Sequence, residues 1–506
     1  MPTRITAALT RSRRRTSLVV SLLAGVAGVA GSFAVASFTP GFVAGPVAGA
    51  TARVVPGAVV TFAIVVLGDF GDHLNLLLAL GLSVLLLAGT SLVGVVVGRW
   101  TDRPLAGAAV ATLAGAVVAV AVTAAPAASL AAGLAAGAVL AAVATWPATS
   151  VDTDADADAD RRRVLTAFGS ALVLSLGGYV LGRAGGPGGT DRETGGAADL
   201  PESTRSEVDA LLSDAAEKSL AVGGLEPLVS DSFYRVDVNA TDPDLAADSW
   251  TLDVTGAVAA EREYTYADVR EMAAENQFVT LRCVGESLNG RKMDNALWTG
   301  VPIRDLLDPT APADACCVVL RAADGYYEEF PLSALEDGFL AYGMNGEPLP
   351  RAHGYPVRAL IPGHWGEINV KWLTEIEVKE KEQEGYWEKR GWHGTGPVET
   401  VAKLHVAEER SDGRMEVAGH AYAGTRGVGR VEVSTDGGAT WADARLSDPL
   451  PGADVWRQWA YAYDPPAGEH EVVVRAVEDD GTVQSRQSRP PYPNGPAGWV
   501  SRTVGG

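Results

Sequence analysis

The stretch FVTLRCVGESLNG, residues 278–290, runs an apolar strand pattern into a Gly-containing turn and places one thiol, Cys283, at the junction. The chain of 506 residues has three cysteines, and the other two, Cys316 and Cys317, are neighbours in DACCVVLRAADG. Three cysteines make no disulfide framework. Cys316 and Cys317 lie on an apolar strand pattern and are expected as small buried hydrophobes. Cys283 keeps three readings: a core residue, a nucleophile or a metal ligand. A nucleophile needs a base, and no histidine adjoins Cys283 in sequence, although His353 or His364 can approach it in space. A zinc site needs several Cys or His at fixed spacing, and these are absent. A lone thiolate suffices where a cofactor brings the remaining soft ligands itself.

Outward from this stretch, SWTLDVTGAV and FVTLRCVG carry strand patterns, while YTYADVREMAAEN has the apolar spacing of a helix. This is α+β texture, expected over residues 225–395. From 396 to 506 the pattern is all strand: RMEVAGHAYAG, VGRVEVSTDGGATWADARL, WRQWAYAYDPP and GEHEVVVRAVEDDG, separated by Asp-Gly-Gly and Pro-Pro turns. Short alternating strands at this density predict an immunoglobulin-like sandwich. A sandwich by itself carries no catalytic meaning. Residues 184–224 are expected as a flexible Gly-rich linker followed by a short amphipathic helix in SEVDALLSDAAEKSL.

Residues 1–183 differ sharply, being mostly Ala, Val, Leu and Gly in long uncharged runs. Runs at 17–38, 74–98, 105–124, 128–148 and 163–182 each approach the ~20 residues a bilayer requires, predicting a multi-pass helical membrane anchor with about five spans. Residues 54–67 are shorter and open on a Pro-Gly break, so they are expected as re-entrant or interfacial. The basic clusters TRSRRR, Arg99 with Arg103, and Arg161–Arg163 fall on one side only if five spans cross. The positive-inside rule then places the rest of the chain on the extracytoplasmic face of the cell membrane. Arg161 and Arg162 before an apolar span are also similar to a twin-arginine export signal, which carries domains across already folded. His73 is the only histidine of this half, so a paired-histidine haem is not expected in this chain. Asp69, Asp72 and His73 are expected as loop charges at a membrane surface.

The formal net charge of −21 with seven lysines predicts a densely carboxylated soluble half. Such a chain cannot displace phosphate counterions, which excludes nucleic-acid binding. An acid-rich, Lys-poor surface is expected of a halophile, where salt screens self-repulsion.

The segments FYRVDVNATDPDLAADSWTLDVTGAV, VTLRCVGESLNGRKMDNALWTGVPIRDLLD, DGYYEEFPL and LAYGMNGEPLPRAHGYPVRALIPGHWGEINVKWLTEIEV, followed by the sandwich, resemble the sulfite oxidase family of molybdenum enzymes over residues 225–503. The anchor resembles that of membrane-bound, molybdopterin-dependent prokaryotic members, with a haloarchaeal composition. The resemblance implies one molybdenum per chain, held by a pterin dithiolene and by Cys283. The cofactor carries oxygen-atom chemistry while the protein binds and orients it. Arg235 matches the family arginine near metal and pterin, although the next two residues are Val236 and Asp237 where the family often has Asn-His. His353, Arg358 and Lys371 match the groups holding the pterin phosphate and ring, as a buried phosphate requires. Tyr326 matches the tyrosine that points at the substrate side, and Arg390 matches an anion-binding arginine.

Where true sulfite oxidases follow the ligand with Cys-x-x-Asn-Arg, this chain reads Cys283-Val-Gly-Glu-Ser-Leu-Asn-Gly-Arg. One cation of an oxyanion pocket is therefore missing, and Arg291 or Lys292 is a candidate to replace it. His364 and Trp365 in PGHWGE are candidates for setting substrate choice. The resulting expectation is an oxidoreductase acting on a small sulfur oxyanion or S-oxide, with electrons passing to a separate carrier such as a copper protein, a cytochrome or a membrane partner. A homodimer through residues 396–506 is also implied. The competing expectation is a non-enzymatic surface or adhesion protein displaying an immunoglobulin-like domain on a membrane stalk.

Overall fold

The computed structural model describes residues 2–63, 67, 69–145, 155–185, 202–307 and 315–505. Its helical unit contains α1 (Pro2–Ala36), α2 (Ala44–Val54), α4 (Asp69–Trp100), α5 (Pro104–Thr123), α6 (Pro126–Thr145) and α7 (Ala155–Gly185), while α3 (Gly57–Phe62) groups with the second unit. Five helices, Arg14–Ala36, Leu74–Trp100, Pro104–Thr123, Pro126–Thr145 and Ala159–Arg183, are long and apolar enough to cross a membrane. With lipid tails as apolar as Leu, such helices gain by close backbone approach. Gly94 of α4 and Gly107 of α5 show it, because a Cβ on either would collide with the other's backbone carbonyl. Within residues 54–67, α2 ends at Val54 and the six-residue α3 follows, far below spanning length; residues 64–66 fall outside the described set. Most of the linker, 186–201, lies outside it too, as do the side chains of the first basic cluster up to residue 13 and those of Asp69, Asp72 and His73. Asp237–Asp244 folds with the helical unit, and Thr241 lies against Gly45 of α2.

The second unit opens with α8 (Glu202–Lys218), the amphipathic helix expected after the linker. Ten strands follow: β1 (Thr251–Gly256), β2 (Arg262–Thr265), β3 (Glu275–Arg282), β4 (Met293–Pro302), β5 (Cys317–Ala322), β6 (Tyr327–Pro331), β7 (Phe339–Met344), β8 (Glu347–Pro348), β9 (Arg358–Leu360) and β10 (Leu373–Lys379). They form two sheets, ordered β2-β1-β10-β5-β6 and β3-β4-β7-β8, with β9 also pairing β7. Only β1–β10 is parallel among the pairings of these sheets. Leu252, Val254, Val318, Leu320 and Ile376 of the first sheet share a core with Val301, Leu340, Tyr342 and Ala359 of the second. The expected helix over 264–276 is shorter, α9 (Tyr266–Glu271). Thr265 and Asp268 close its start with a capping box, while β3 claims Glu275 and Asn276 for its ladder with β4. Cys317 is buried as expected, but Cys316 is exposed, and the two sulfurs are bonded to each other. Cys316 lies just outside β5, which begins at Cys317.

Nine strands make the C-terminal sandwich: β11 (Val401–Ala402), β12 (Val406–Glu409), β13 (Met415–Tyr422), β14 (Val428–Ser434), β15 (Ala442–Asp443), β16 (Arg445–Leu446), β17 (Arg457–Tyr463), β18 (His470–Glu478) and β19 (Val500–Val504). One sheet runs β11-β13-β17-β16 with β12 on β13, and the other runs β15-β14-β18-β19. Val417, Ala421 and Trp459 of the first pack against Val431, Val433, Val472 and Val474 of the second.

The sandwich is joined to β3 by hydrogen bonds as well as by apolar packing. Thr280 donates its amide to the Asp454 carbonyl at 2.9 Å and accepts the Trp456 amide on its hydroxyl at 3.0 Å. The Tyr422 hydroxyl reaches both the Thr280 carbonyl at 3.0 Å and Asp454 Oδ1 at 2.6 Å. Burial pushes the Asp454 carboxyl up to about 7, against about 3.9 in an unfolded chain. Between those values the folded state keeps a proton that the unfolded chain has released. The stability contributed is therefore full below about pH 4 and lost as pH rises through about 7. Asp454→Asn keeps an acceptor for Tyr422 without the charge, so its melting temperature should climb relative to wild type as pH rises from about 4 to about 8. Thermal melts across that range check this, and a pH-independent difference refutes it.

Candidate active site

Cys283 stands at the mouth of the β3–β4 hairpin, one residue past the last ladder pair, Arg282 with Met293. Its amide donates to the Lys292 carbonyl at 2.9 Å, which closes the ten-residue turn at its base. Inside the turn, Glu286 is 4 % exposed, and Arg282 and Lys403 are fully buried. Arg282 Nε donates to Glu286 Oε1 at 3.0 Å and Lys403 Nζ to the same oxygen at 2.6 Å, while Oε2 accepts the Lys292 amide at 2.9 Å. Lys403 Nζ also reaches the Gly290 carbonyl at 2.9 Å. Asn289 and Leu404 exchange two hydrogen bonds, at 2.9 and 2.8 Å. Glu286 and Asn289 thus lock the thiol's turn onto the sandwich. Arg282 completes the clamp, donating to the Glu399 carbonyl at 2.8 Å and lying 4.7 Å from the Trp365 ring centre.

The Cys283 thiol is half-buried, and enclosure by the chain pushes it up to about 11, with Glu286 adding to this and the Gly285 amide and Lys292 opposing it. The chain's own charges do not make it a thiolate. Coordination to a metal would, because a coordinating thiol is deprotonated outright.

A cationic wall lies across Tyr234, whose hydroxyl is within electrostatic reach of both Cys283 and Arg358. Arg358 is 4 % exposed, donates to the His353 carbonyl at 3.1 Å and the Asn369 carbonyl at 3.0 Å, and sits 5.2 Å from the Trp298 ring centre. Lys371 Nζ donates to the Ala352 carbonyl at 3.0 Å. Gly354 makes the wall possible: with φ of +116° it has the left-handed backbone, and a Cβ there would press on Arg358 Cβ at 2.9 Å and Lys371 Cβ at 3.1 Å. The His353 ring meets Phe233 edge-on at 5.6 Å. Arg235 is exposed on the loop carrying Phe233 and Tyr234. A thiol on one side and His353, Arg358 and Lys371 on the other fit a group that combines a thiophilic metal with a phosphate.

Tyr326 lies immediately before β6, and its hydroxyl donates to the Glu367 carbonyl at 2.7 Å and sits 3.3 Å from Glu328 Oε1. Its ring packs on Tyr386 at 5.5 Å. Arg390 lies 3.6 Å from the centre of that same Tyr386 ring and donates to the Tyr386 carbonyl at 2.6 Å. Tyr326 and Arg390 are therefore brought together through one aromatic ring. His364 is half-buried, its Nδ1 2.9 Å from the Pro362 carbonyl, and burial lowers its pKa. Trp365 points the other way, into the core beneath Arg282. Exposed Arg291 lies within electrostatic reach of Glu226, His405 and His420, toward the sandwich. Sequence reasoning missed Lys403, Tyr234, Glu328 and Glu367. The spacing of Glu328 two residues after Tyr326 was its only local signal, since strand alternation turns residues two apart to one face.

Two family models match the chain: residues 239–387 the oxidoreductase molybdopterin binding domain, and residues 398–489 the Mo-co oxidoreductase dimerisation domain. The mitochondrial sulfite oxidase of Homo sapiens is 31% identical, covering 48% of this chain and 54% of that protein, and the sulfite oxidase of Gallus gallus is 31% identical, covering 48% and 64%. An inducible NADH nitrate reductase of Glycine max is 26% identical over 47% of this chain and 35% of that protein. The chain spans about half the length of the first curated relatives it matches. Among solved structures, the sulfane dehydrogenase SoxCD from Paracoccus pantotrophus aligns with a TM-score of 0.47 at 20% identity, over 60% of this chain and 90% of that one.

Glu286→Ala would leave Arg282 and Lys403 as buried cations without their shared anion, a loss on the order of 3–5 kcal/mol. The double variant Glu286→Leu/Lys403→Met should recover a large part of that loss, because the second cation's desolvation goes with it. Melting temperatures of the two variants decide this; a double variant no better than the single one refutes it.

Proposed function

We propose, on the premise that residues 239–387 are a molybdopterin-binding oxidoreductase domain of the sulfite oxidase type, that this chain is a membrane-anchored molybdenum oxidoreductase acting on a small sulfur-oxide substrate. The observation that carries the proposal is that Arg358 and Lys371 gather around Gly354, next to His353, while Arg358 and Cys283 both lie within electrostatic reach of Tyr234. In this reading Cys283 is the protein ligand of the metal, and Arg235, His353, Arg358 and Lys371 hold the pterin and its phosphate. When bound, the cofactor supplies two-electron oxygen-atom chemistry that no side chain provides. The chain's part is positional. The Glu286 clamp fixes where the thiol points, and Tyr326, held by the Glu367 carbonyl, presents a phenol to the substrate side. An adhesion role is not favoured, because it leaves the matched oxidoreductase domain unexplained.

Substrate polarity follows from Tyr326's neighbours. Glu328 and Glu367 are both buried beside it, and Arg390 is committed to Tyr386. An oxyanion needs positive charge where this chain has carboxyl groups. An uncharged S-oxide suits the pocket better than sulfite, and His364 and Arg291 remain candidates for tuning that choice. Five spanning helices form the anchor, with Arg99, Arg103 and Arg161–Arg163 cytoplasmic, the twin arginines serving export, and everything past residue 183 outside. The boundaries 1–183, 184–224, 225–395 and 396–506 follow the same division. Electrons are exchanged with a separate carrier, and residues 396–506 form a homodimer.

Detergent-purified full chain should contain about one molybdenum per chain, and Cys283→Ser should lose both metal and turnover. A Cys283→Ser protein retaining both overturns the proposal. On the same preparation, reduction of a methyl sulfoxide should exceed oxidation of sulfite. The reverse order overturns the substrate assignment while leaving the molybdenum assignment intact.

A further inference from the structure

Three acidic side chains converge beside Tyr326 from separate elements: Glu328 from β6, Glu367 from the turn after Trp365, and Glu388 from the turn that carries Arg390. One carboxylate oxygen of each lies within 4.8 Å of the other two. Glu328 is fully buried, Glu367 is 7 % exposed, and Glu388 is half-buried. Glu328 Oε1 accepts the Trp387 amide at 2.7 Å, whereas its Oε2 has no donor. Both oxygens of Glu367 and both of Glu388 are buried without a hydrogen-bond partner as well. The Gly394 amide leans toward Glu367 without bonding geometry.

The surrounding cations are engaged elsewhere. Arg390 donates to the Tyr386 carbonyl, and Lys389 Nζ donates to the Tyr327 hydroxyl at 2.5 Å. Among the described residues no lysine, arginine or histidine pairs with any of the three carboxylates. The chain also leaves room where the oxygens point. A Cβ on Gly385 would strike Glu328 Oε2 and Glu388 Oε2, and one on Gly394 would strike Glu367 Oε2. Five acceptor oxygens without a donor on three clustered carboxyl groups are costly unless a cation or protons neutralise them, and Glu328 and Glu388 are near enough to share a proton.

We propose that Glu328, Glu367 and Glu388 form a binding site for a hard divalent cation of calcium size. One oxygen of each carboxyl lies within 4.8 Å of the other two, close enough to share one ion. Calcium is favoured over magnesium because it accepts cages of protein oxygens, whereas magnesium keeps several of its waters. All-oxygen donors exclude the thiophilic preference that Cys283 serves, so the two sites are chemically distinct. Two positive charges against three carboxylates leave the pocket short of the cationic character an anion would need. Because the Tyr326 hydroxyl is bonded to the Glu367 backbone and adjoins Glu328, the ion positions that hydroxyl as well.

The test uses the full chain in detergent, stripped with a chelator and titrated with Ca²⁺ by calorimetry, with Mg²⁺ as the comparison ion and molybdenum measured on the same sample. Wild type should bind one Ca²⁺ per chain more tightly than Mg²⁺ and melt several degrees higher with it. Glu388→Gln, at the half-exposed corner, should weaken binding at least ~10-fold while remaining folded. Glu367→Gln should abolish both the binding and the melting shift. Wild type that binds no Ca²⁺ and melts identically with and without chelator overturns the site, as does binding untouched by either substitution. Molybdenum content reports on the cofactor assignment separately, so its absence leaves the calcium result standing.

Discussion

The carboxylate of Glu286 is the point on which the second unit turns. It receives Arg282 at the end of β3 and Lys403 from the sandwich on one oxygen, and the Lys292 amide on the other. Three groups from two domains share one anion from which water is excluded. A buried ion triad of this kind adds little net stability compared with apolar packing, but breaking it is severe. Its consequence here is geometric. The Cys283 turn cannot move independently of the sandwich, and a metal ligand must be held to a fraction of an ångström by its supporting shell.

The sandwich is therefore part of the site's scaffold. Thr280, three residues before Cys283, is bonded to Asp454, Trp456 and Tyr422, and Arg282 reaches the Glu399 carbonyl. A strand gripped from both its hydrogen-bonding edge and its side chains presents its last residue at a fixed angle. On the other side, Gly354 lets Arg358 and Lys371 close to one another, a proximity that any side chain at that position would prevent. The site's residues come from several separate loops and strands of the second unit, which explains why they are scattered from 234 to 390.

Much of this was legible in the sequence. The five apolar runs coincide with five helices long and apolar enough to cross a membrane, because such helices are marked by length and composition together. Alternation marked β13, β14, β17 and β18, and the residues around Cys283 were sufficient to resemble a family whose domain models match. Other features were hidden for physical reasons. The helix over 264–276 was overestimated because β-pairing with β4, a long-range event, outweighs local helical spacing in Glu275 and Asn276. Lys403 reads locally as an ordinary strand lysine in TVAKLHV; only the fold puts it 117 positions away, against Glu286. Arg291 illustrates the converse, since adjacency to the thiol's turn in sequence places its charge toward Glu226 and the sandwich histidines.

Charge is sorted by hardness and sign around this centre. Soft sulfur stands alone at Cys283, cations gather at Arg358 and Lys371, and oxygen anions gather beside Tyr326 at Glu328, Glu367 and Glu388. Like charges gathered this closely repel one another unless a partner of complementary chemistry lies against them. The Glu286 triad satisfies this condition within the polypeptide. Groups fixed in this way by the packing of their own elements keep their geometry before a ligand arrives, and a binding site needs that preorganisation.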